Sequence, residues 1–258
     1  MNRFILVTTG EKAESIELLE SRFEQHLAPH GRFETFRLGN VSSLLTAYWK
    51  TSEMVDDPDA LLLFAHQDIQ PVYLPGQSGS EAEIRSVAAQ APWLASAFNR
   101  PEKWVEQLVQ LSGQEDAGFF GVAGATSLHP FAAWWNEPTL SGAVLHTVNS
   151  GPIRLNAFGP YGRVAVLDGL FLAARAKVFK AMEKPQATKC FHFYDMELCL
   201  RAHLAGKKNW TLPLLLLHAS GGDEHLDSEW RMAAAGFADR FEETLPLNLS
   251  TDALPDWE

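Results

Sequence analysis

The chain is poor in clustered basic residues and in cysteine. Among its 258 residues, 21 are Lys or Arg and 32 are Asp or Glu, which gives a formal net charge of -11. Non-specific binding to nucleic acid or to an anionic membrane depends on clustered cations. Because no basic run occurs, the sequence argues against both of these partners.

Long apolar runs are also missing. Residues 60–65 and 212–217 form the longest apolar stretches, far below the roughly 20 residues that span a bilayer, so we expect peripheral membrane contact at most. The apolar run 4–7 is too short for a signal peptide. Of the two cysteines, Cys190 and Cys199, the second lies among helical apolar residues, as a buried thiol does. We therefore expect a cytoplasmic, reducing location.

Apolar segments of strand length alternate with segments of helical period. This alternation predicts one α/β domain with a mainly parallel, Rossmann-like sheet flanked by helices. The predicted strands are 4–8, 33–38, 60–65, 118–122, 143–148, 164–167 and 210–217. The predicted helices are 11–26, 41–51, 92–111, 192–205 and 228–241. We place the domain at 1–244 and predict a loosely ordered tail at 245–258.

Polar residues follow three of the predicted strands, where ligands of α/β sheets bind. Asp68 comes three residues after a buried strand, where a cation would bridge to a diphosphate; a turn-forming Asp is the alternative. Asp168 and Gly169 interrupt an apolar run. A buried carboxylate needs hydrogen-bond donors or a polar ligand, although the pair also fits a bulge or turn. His218 follows the last strand and suits either a metal site or a hydrogen-bonded core position.

The predicted helix 192–205 carries two acids with different surroundings. Asp195 shares a helix face with the apolar Leu198. It also stands near the helix start, which favours the ionised form that a general base requires; a capping role is the alternative. Glu197 precedes Arg201 by four residues, which indicates a surface ion pair of structural importance.

In their order and spacing over residues 61–222, these motifs resemble the family 2 glycosyltransferases of the GT-A type, in the group whose metal motif is His-Gln-Asp. The segment 66–68 has this sequence. The resemblance implies that Asp68 holds a divalent cation, Mn²⁺ or Mg²⁺, on the donor diphosphate, with His66 a weaker candidate. It also assigns His218 to the histidine that follows the family's last strand.

The segment 194–201 resembles the acidic helix-start motif of the same family. Asp195 then falls on the catalytic base, and Tyr194 stands where the family has a first acid. The implied reaction moves a sugar from a nucleotide-sugar donor to a hydroxyl of a saccharide or other acceptor, with inversion. The acceptor channel would contain Trp134 and Trp135, whose rings stack on sugars or pack under a loop.

The resemblance extends to the donor site and leaves other functions open. Its implied donor-binding residues are Thr8, Thr9, Gly10, Asp68, Asp168 and Gly169. A metal-dependent hydrolase is one alternative, built from His66, Asp68, His192, Asp195, His218 and His225, although no tight ligand spacing occurs. A non-catalytic protein that binds a nucleotide sugar or a protein partner is another, because Tyr194 replaces an acid. A dinucleotide oxidoreductase fits less well, since residues 121–124 lack the third glycine of its fingerprint.

Overall fold

A seven-stranded sheet forms the centre of the computed structural model. In spatial order its strands are β10 (Arg163–Val164), β13 (Lys208–Thr211), β5 (Ala117–Gly121), β12 (Phe171–Arg175), β3 (Leu61–His66), β1 (Asn2–Thr9) and β2 (Gly31–Leu38). The structure describes residues 1–10, 12–39, 41–72, 86, 89, 91–94, 97, 100, 102–131, 133–147, 152–186, 191–220 and 227–249. The apolar residues of β3 are fully buried, as expected of a strand with both faces covered.

A second sheet lies at one end of the first. Its strands in order are β11 (Val166–Leu167), β6 (Ala123–Ala125), β8 (Leu140–His146), β14 (Leu216–His218) and β4 (Ile69–Pro71), and β9 (Arg154–Gly159) also pairs with β8. A two-stranded ribbon joins β7 (Ser127–Leu128) to β15 (Leu247–Asn248). The chain therefore crosses between the two sheets at residues 121–123 and 164–166, which lets loops of both meet over one sheet end.

Six α-helices occur within the described residues. They are α1 (Ala13–Leu27), α2 (Leu44–Met54), α3 (Lys103–Ser112), α4 (Ala176–Ala181), α5 (Tyr194–Leu204) and α6 (Ser228–Arg240). Rings from helices and sheet interlock in the core: Phe23 of α1 stacks on Phe171 of β12 at 5.5 Å between centroids, and Trp104 of α3 packs edge-on against both. Fully burying such a side chain contributes about 1.5–3 kcal/mol.

The predicted α/β class, with helices flanking the sheet in a single domain, is confirmed. The predicted parallel pairing is present only in part. β1 pairs in parallel with β2 and β3, and β13 with β5, but β12 and β10 run antiparallel to their neighbours. The segment 154–159, predicted as loop, is the strand β9 and pairs antiparallel with β8. The connection 147–153 is too short for the crossover that parallel neighbours need.

Only the first residues of the predicted tail 245–258 lie in the described part of the chain. Leu247 and Asn248 pair with Leu128 and Ser127, whereas residues 250–258 lie outside the described residues. The boundary at 244 and 245 therefore stays a prediction. None of the helices that the structure describes has the length and apolar character needed to span a membrane.

Glu197 and Arg201 form the predicted ion pair, but the prediction that the pair lies on the surface is wrong. Glu197 is buried, and it accepts hydrogen bonds from Arg201 at 2.9 and 3.0 Å. Its other carboxylate oxygen lies 2.8 Å from the guanidinium of Arg240 on α6. Packing of α6 thus covers the helix face that looked solvent-exposed in the sequence, and Glu197 ties the two helices together.

This burial predicts a large effect of Glu197→Gln on stability. Removing one charge of a buried pair leaves its partners uncompensated, so the free energy of unfolding should fall by about 3 kcal/mol. The matched control is Glu106→Gln on α3, because Glu106 and its partner Arg100 are both about half exposed and such pairs contribute about 0–1 kcal/mol. Denaturant unfolding would measure both. Equal losses in the two variants would contradict the structural role of the Glu197 network.

Candidate active site

A cleft of about 200 Å³ opens where loops of both sheets meet. The end of β3 contributes His66, the turn between β11 and β12 contributes Asp168 and Gly169, and the start of α5 contributes Tyr194 and Asp195. Trp134 and Trp135, in a short 3₁₀ helix, and Trp230 of α6 line it as well. The cleft thus brings together residues that the sequence placed at separate strand ends.

Asp195 is held in the cleft by two backbone donors. Its Oδ2 accepts from the N–H of Gly169 at 2.9 Å, and its Oδ1 accepts from the N–H of Met196 at 2.9 Å. Phe193, two residues before Asp195 and just before the start of α5, has the left-handed conformation with φ of 63°, which costs a non-glycine residue about 1–3 kcal/mol. Its ring packs 5.1 Å from the ring of Trp230, and this packing holds the turn that points Asp195 into the cleft.

The surroundings of Asp195 change its protonation. Burial, assisted by the nearby carboxylate of Asp168, raises the pKa of Asp195 to about 7. Burial, and with it the charge of Asp195, raises the pKa values of Tyr48 of α2 and of Tyr194 and Cys199 of its own helix. The raised pKa of Asp195 is suited to a general base that works near neutral pH.

Asp168 forms a turn, which was the alternative interpretation of its position in the sequence. Its Oδ1 accepts from the N–H of Leu170 two residues on, at 3.0 Å, as in an Asx turn. Burial raises the pKa of Asp168 above its ordinary value. The turn brings the Asp168 carboxylate close to Asp195, so the two acids bear on the same part of the cleft.

Tyr194 lies at the base of the cleft and contacts the ends of two strands. Its hydroxyl donates to the carbonyl of Gly169 at 2.8 Å and lies 2.8 Å from Nε2 of His66. A Cβ atom on Gly169 would collide with the hydroxyl and ring of Tyr194. Glycine is therefore required here for close approach.

The two predicted metal ligands lie beside the cleft and contact each other. Oδ2 of Asp68 is 3.3 Å from Nε2 of His218, and His218 holds the pKa of Asp68 below its ordinary value. Ligand bonds of about 2.1 Å place adjacent donor atoms of one ion roughly 3 Å apart, so this carboxylate and imidazole fit a shared divalent cation. Among the described residues, no group of three or more His, Cys, Asp or Glu is arranged to hold a metal alone.

The three predicted donor-binding residues at the end of β1 differ in their exposure to solvent. Thr9 lies opposite His66 in the parallel register of β1 and β3, and Gly10 is exposed. Thr8 is fully buried, and its hydroxyl has no hydrogen-bond partner among the described residues. Of the three, Thr9 and Gly10 are the ones that a ligand at this strand end could reach. His225, named in the hydrolase alternative, lies outside the described residues.

The tryptophan pair forms one wall of the cleft. Trp134 is buried and packs edge-on against Trp135, which is 42% exposed. Glu137, which no local sequence pattern indicated, holds this wall in place. Glu137 is buried and accepts hydrogen bonds from Ser127 at 2.7 Å and from the backbone N–H of His129 at 2.7 Å. Burial acts to raise the pKa of Glu137, but these bonds and the His129 ring hold it below its ordinary value.

Comparison with known proteins gives one sequence family and several distant structures. The sequence model described as "Glycosyltransferase like family" matches residues 97–225, half of the chain. No curated protein matches the chain.

Three solved structures are similar to the chain over most of its length. A protein from STIV has a TM-score of 0.43 and 13% identity, covering 99% of this chain and 98% of its own. Drosophila β-1,4-galactosyltransferase 7, in complex with manganese, UDP-Gal and xylobiose, has a TM-score of 0.43 and 11% identity, with coverages of 82% and 65%. A glycosyltransferase involved in glycosylation of the major capsid of PBCV-1 has a TM-score of 0.40 and 11% identity, with coverages of 92% and 99%. These scores are too low to define a donor or an acceptor.

The raised pKa of Asp195 makes a prediction about stability and pH. An unfolded Asp ionises near pH 3.9, whereas Asp195 in the folded protein ionises near pH 7. Between these values the unfolded chain releases a proton that the folded protein keeps, so wild-type stability falls as pH rises. Asp195→Asn does not titrate. Its melting temperature relative to wild type should therefore rise between about pH 5 and about pH 8.

The matched control is Asp59→Asn. Asp59 is exposed, and its hydrogen bond with Lys177 lowers its pKa, so it is ionised in both folded and unfolded chains throughout that pH range. Its melting-temperature difference from wild type should stay constant. A constant difference for Asp195→Asn as well would show that Asp195 ionises normally.

Proposed function

Because this chain belongs to the glycosyltransferase-like family, we propose that it transfers a sugar from a nucleotide-sugar donor to an acceptor hydroxyl, with Asp195 as the general base. One observation carries the assignment of the base. Asp195 stands in a cleft at the end of the sheet, its carboxylate is oriented by two backbone N–H groups, and its pKa is raised to about 7. A structural cap on the surface would have neither the cleft nor the shifted pKa.

The proposed reaction inverts the anomeric centre. Asp195 accepts the proton of the acceptor hydroxyl as the hydroxyl oxygen forms a bond to the anomeric carbon. The bond from that carbon to the donor phosphate breaks on the opposite face, and the nucleoside diphosphate leaves with the electron pair. General base catalysis of this kind contributes about 10²–10⁴-fold to the rate. Asp168, with its raised pKa, faces the same space and would bind donor hydroxyls.

The donor diphosphate is proposed to lie against Asp68 and His218. These residues supply one carboxylate oxygen and one imidazole nitrogen 3.3 Å apart, and diphosphate oxygens and water would supply the remaining ligands of a Mn²⁺ or Mg²⁺ ion. When bound, such an ion stabilises negative charge on the leaving diphosphate. Thr9, Gly10 and Gly169 are proposed to line the donor site nearby.

The acceptor is proposed to enter along the tryptophan wall. Trp135 presents an exposed ring to the cleft beside the buried Trp134, and Phe191 is exposed at the same cleft. Aromatic rings provide flat apolar area for the C–H faces of a saccharide.

We also propose that the protein acts in the cytoplasm and that 1–244 is the catalytic domain.

Asp195→Asn tests the proposed base. The variant keeps the size of the side chain but cannot accept the proton, so turnover should fall by about 10²–10⁴-fold while donor binding changes little. Wild-type kcat/KM should decline below about pH 7, where Asp195 becomes protonated. A panel of nucleotide sugars with saccharide acceptors would provide the assay, with Asp59→Asn as the control. Full turnover in Asp195→Asn would refute the assignment, and donor binding without transfer by wild type would favour a non-catalytic binder.

The metal proposal is tested by nucleoside diphosphate binding. Calorimetry in manganese and in chelator should show much tighter binding with the cation, and Asp68→Ala and His218→Ala should each remove most of the difference. Substitutions of residues that hold or orient a metal typically cost about 10–100-fold in affinity. His30→Ala serves as the control, since His30 belongs to the turn after α1. Equal affinity in chelator and in manganese would exclude a cation at this place.

A further inference from the structure

Tyr194 occupies the place of an acid in the related family, yet its hydroxyl is fully engaged. A carbonyl oxygen can only accept, so the hydroxyl donates its proton to Gly169 at 2.8 Å. The same oxygen must then accept from His66, whose Nε2 lies 2.8 Å away. This direction fixes the Nε2–H tautomer of His66. His66 is thus bound to Tyr194 through the nitrogen that points into the cleft.

The backbone of Gly169 connects Tyr194 with Asp195 through the two peptide groups that flank its Cα. Its carbonyl accepts from the hydroxyl of Tyr194, and its N–H donates to Oδ2 of Asp195 at 2.9 Å. Gly169 has no side chain, and a Cβ there would meet the Tyr194 hydroxyl and lie 3.0 Å from Cβ of Asp195. The close approach of α5 to this turn therefore depends on glycine at 169.

The ring of Tyr194 is held independently of its hydroxyl. Tyr194 is 6% exposed, and its ring packs edge-on against Tyr48 at 5.6 Å between centroids. Phenylalanine would keep this packing and lose both hydrogen bonds. The hydroxyl can thus be removed without emptying the space that the ring fills.

We infer that Tyr194 is a positioning residue for the proposed transfer reaction. Its hydroxyl links His66, at the strand end that bears the His-Gln-Asp segment, to the backbone of Gly169, whose N–H orients the carboxylate of Asp195. The position of the proposed base is thereby coupled to the donor side of the cleft. This inference rests on the proposed function for its catalytic consequence, but the geometry it assigns to Asp195 can be measured without turnover.

The test compares Tyr194→Phe with Tyr161→Phe. Tyr161 is also buried and packs against Trp93 away from the cleft, and its hydroxyl has no hydrogen-bond partner among the described residues. The N–H of Gly169 lowers the pKa of Asp195, so loosening the Gly169 backbone by releasing its carbonyl should move the pKa upward. Carboxyl ¹³C NMR titration, with the Asp195 signal assigned from Asp195→Asn, should show an upward shift in Tyr194→Phe and none in Tyr161→Phe.

Kinetics provide the second measurement. In Tyr194→Phe we expect kcat to fall by about ten- to a hundredfold, because slight misplacement of a reacting group slows a reaction by this much. The donor KM should change less, and the acid limb of the pH–rate profile should move to higher pH. A variant that merely folded less well would lose rate without moving the limb. Gly169→Ala, which pushes the Tyr194 hydroxyl away, should shift the Asp195 pKa in the same direction. An unchanged pKa in both variants would overturn the inference, whereas absent transfer by wild type with a shifted pKa would refute only the proposed function.

Discussion

A carboxylate buried against the end of a sheet is the constraint on which the site depends. Asp195 has no cationic partner in the part of the chain that the structure describes, and backbone donors from Gly169 and Met196 keep it in place. That solution requires α5 to approach the turn after β11 closely, which excludes any side chain at residue 169. The same placement forces Phe193 into a destabilising left-handed conformation. Packing of its ring against α6 offsets part of this destabilisation.

Much of the fold could be predicted from local pattern. The strands β1 and β3 contain continuous apolar runs, β2 carries apolar residues at separate positions, and the intervening helices have a clear period, so the existence of these elements followed from the sequence. The strand β12 and its antiparallel direction did not, because pairing is decided by contacts far apart along the chain. The same limit applied to Glu197: its spacing from Arg201 indicated a surface ion pair, and only the packing of α6 brings Arg240 to it.

The candidate site shows the same division between local and distant information. Asp68, Asp168 and Asp195 were recognisable from local position, since the first follows a buried strand, the second interrupts an apolar run and the third stands near a helix start. The link between His66 and Tyr194 joins residues 128 positions apart, and no local pattern announces it. Thr8 illustrates the converse, since a threonine at a strand end fits a ligand site by pattern but is enclosed by its neighbours in the folded chain.

The ribbon between β7 and β15 bears on the order in which the molecule is completed during synthesis. The strands β1, β2 and β3, at whose ends His66 and Thr9 lie, are all made within the first third of the chain. The segment carrying Trp134 and Trp135 follows β7, whose partner Leu247–Asn248 is made more than a hundred residues later. Because chains fold from the N-terminus as they emerge, these three strands can form while the tryptophan wall still lacks its supporting strand. The tryptophan wall of the cleft is then completed only after the rest of the cleft has been made.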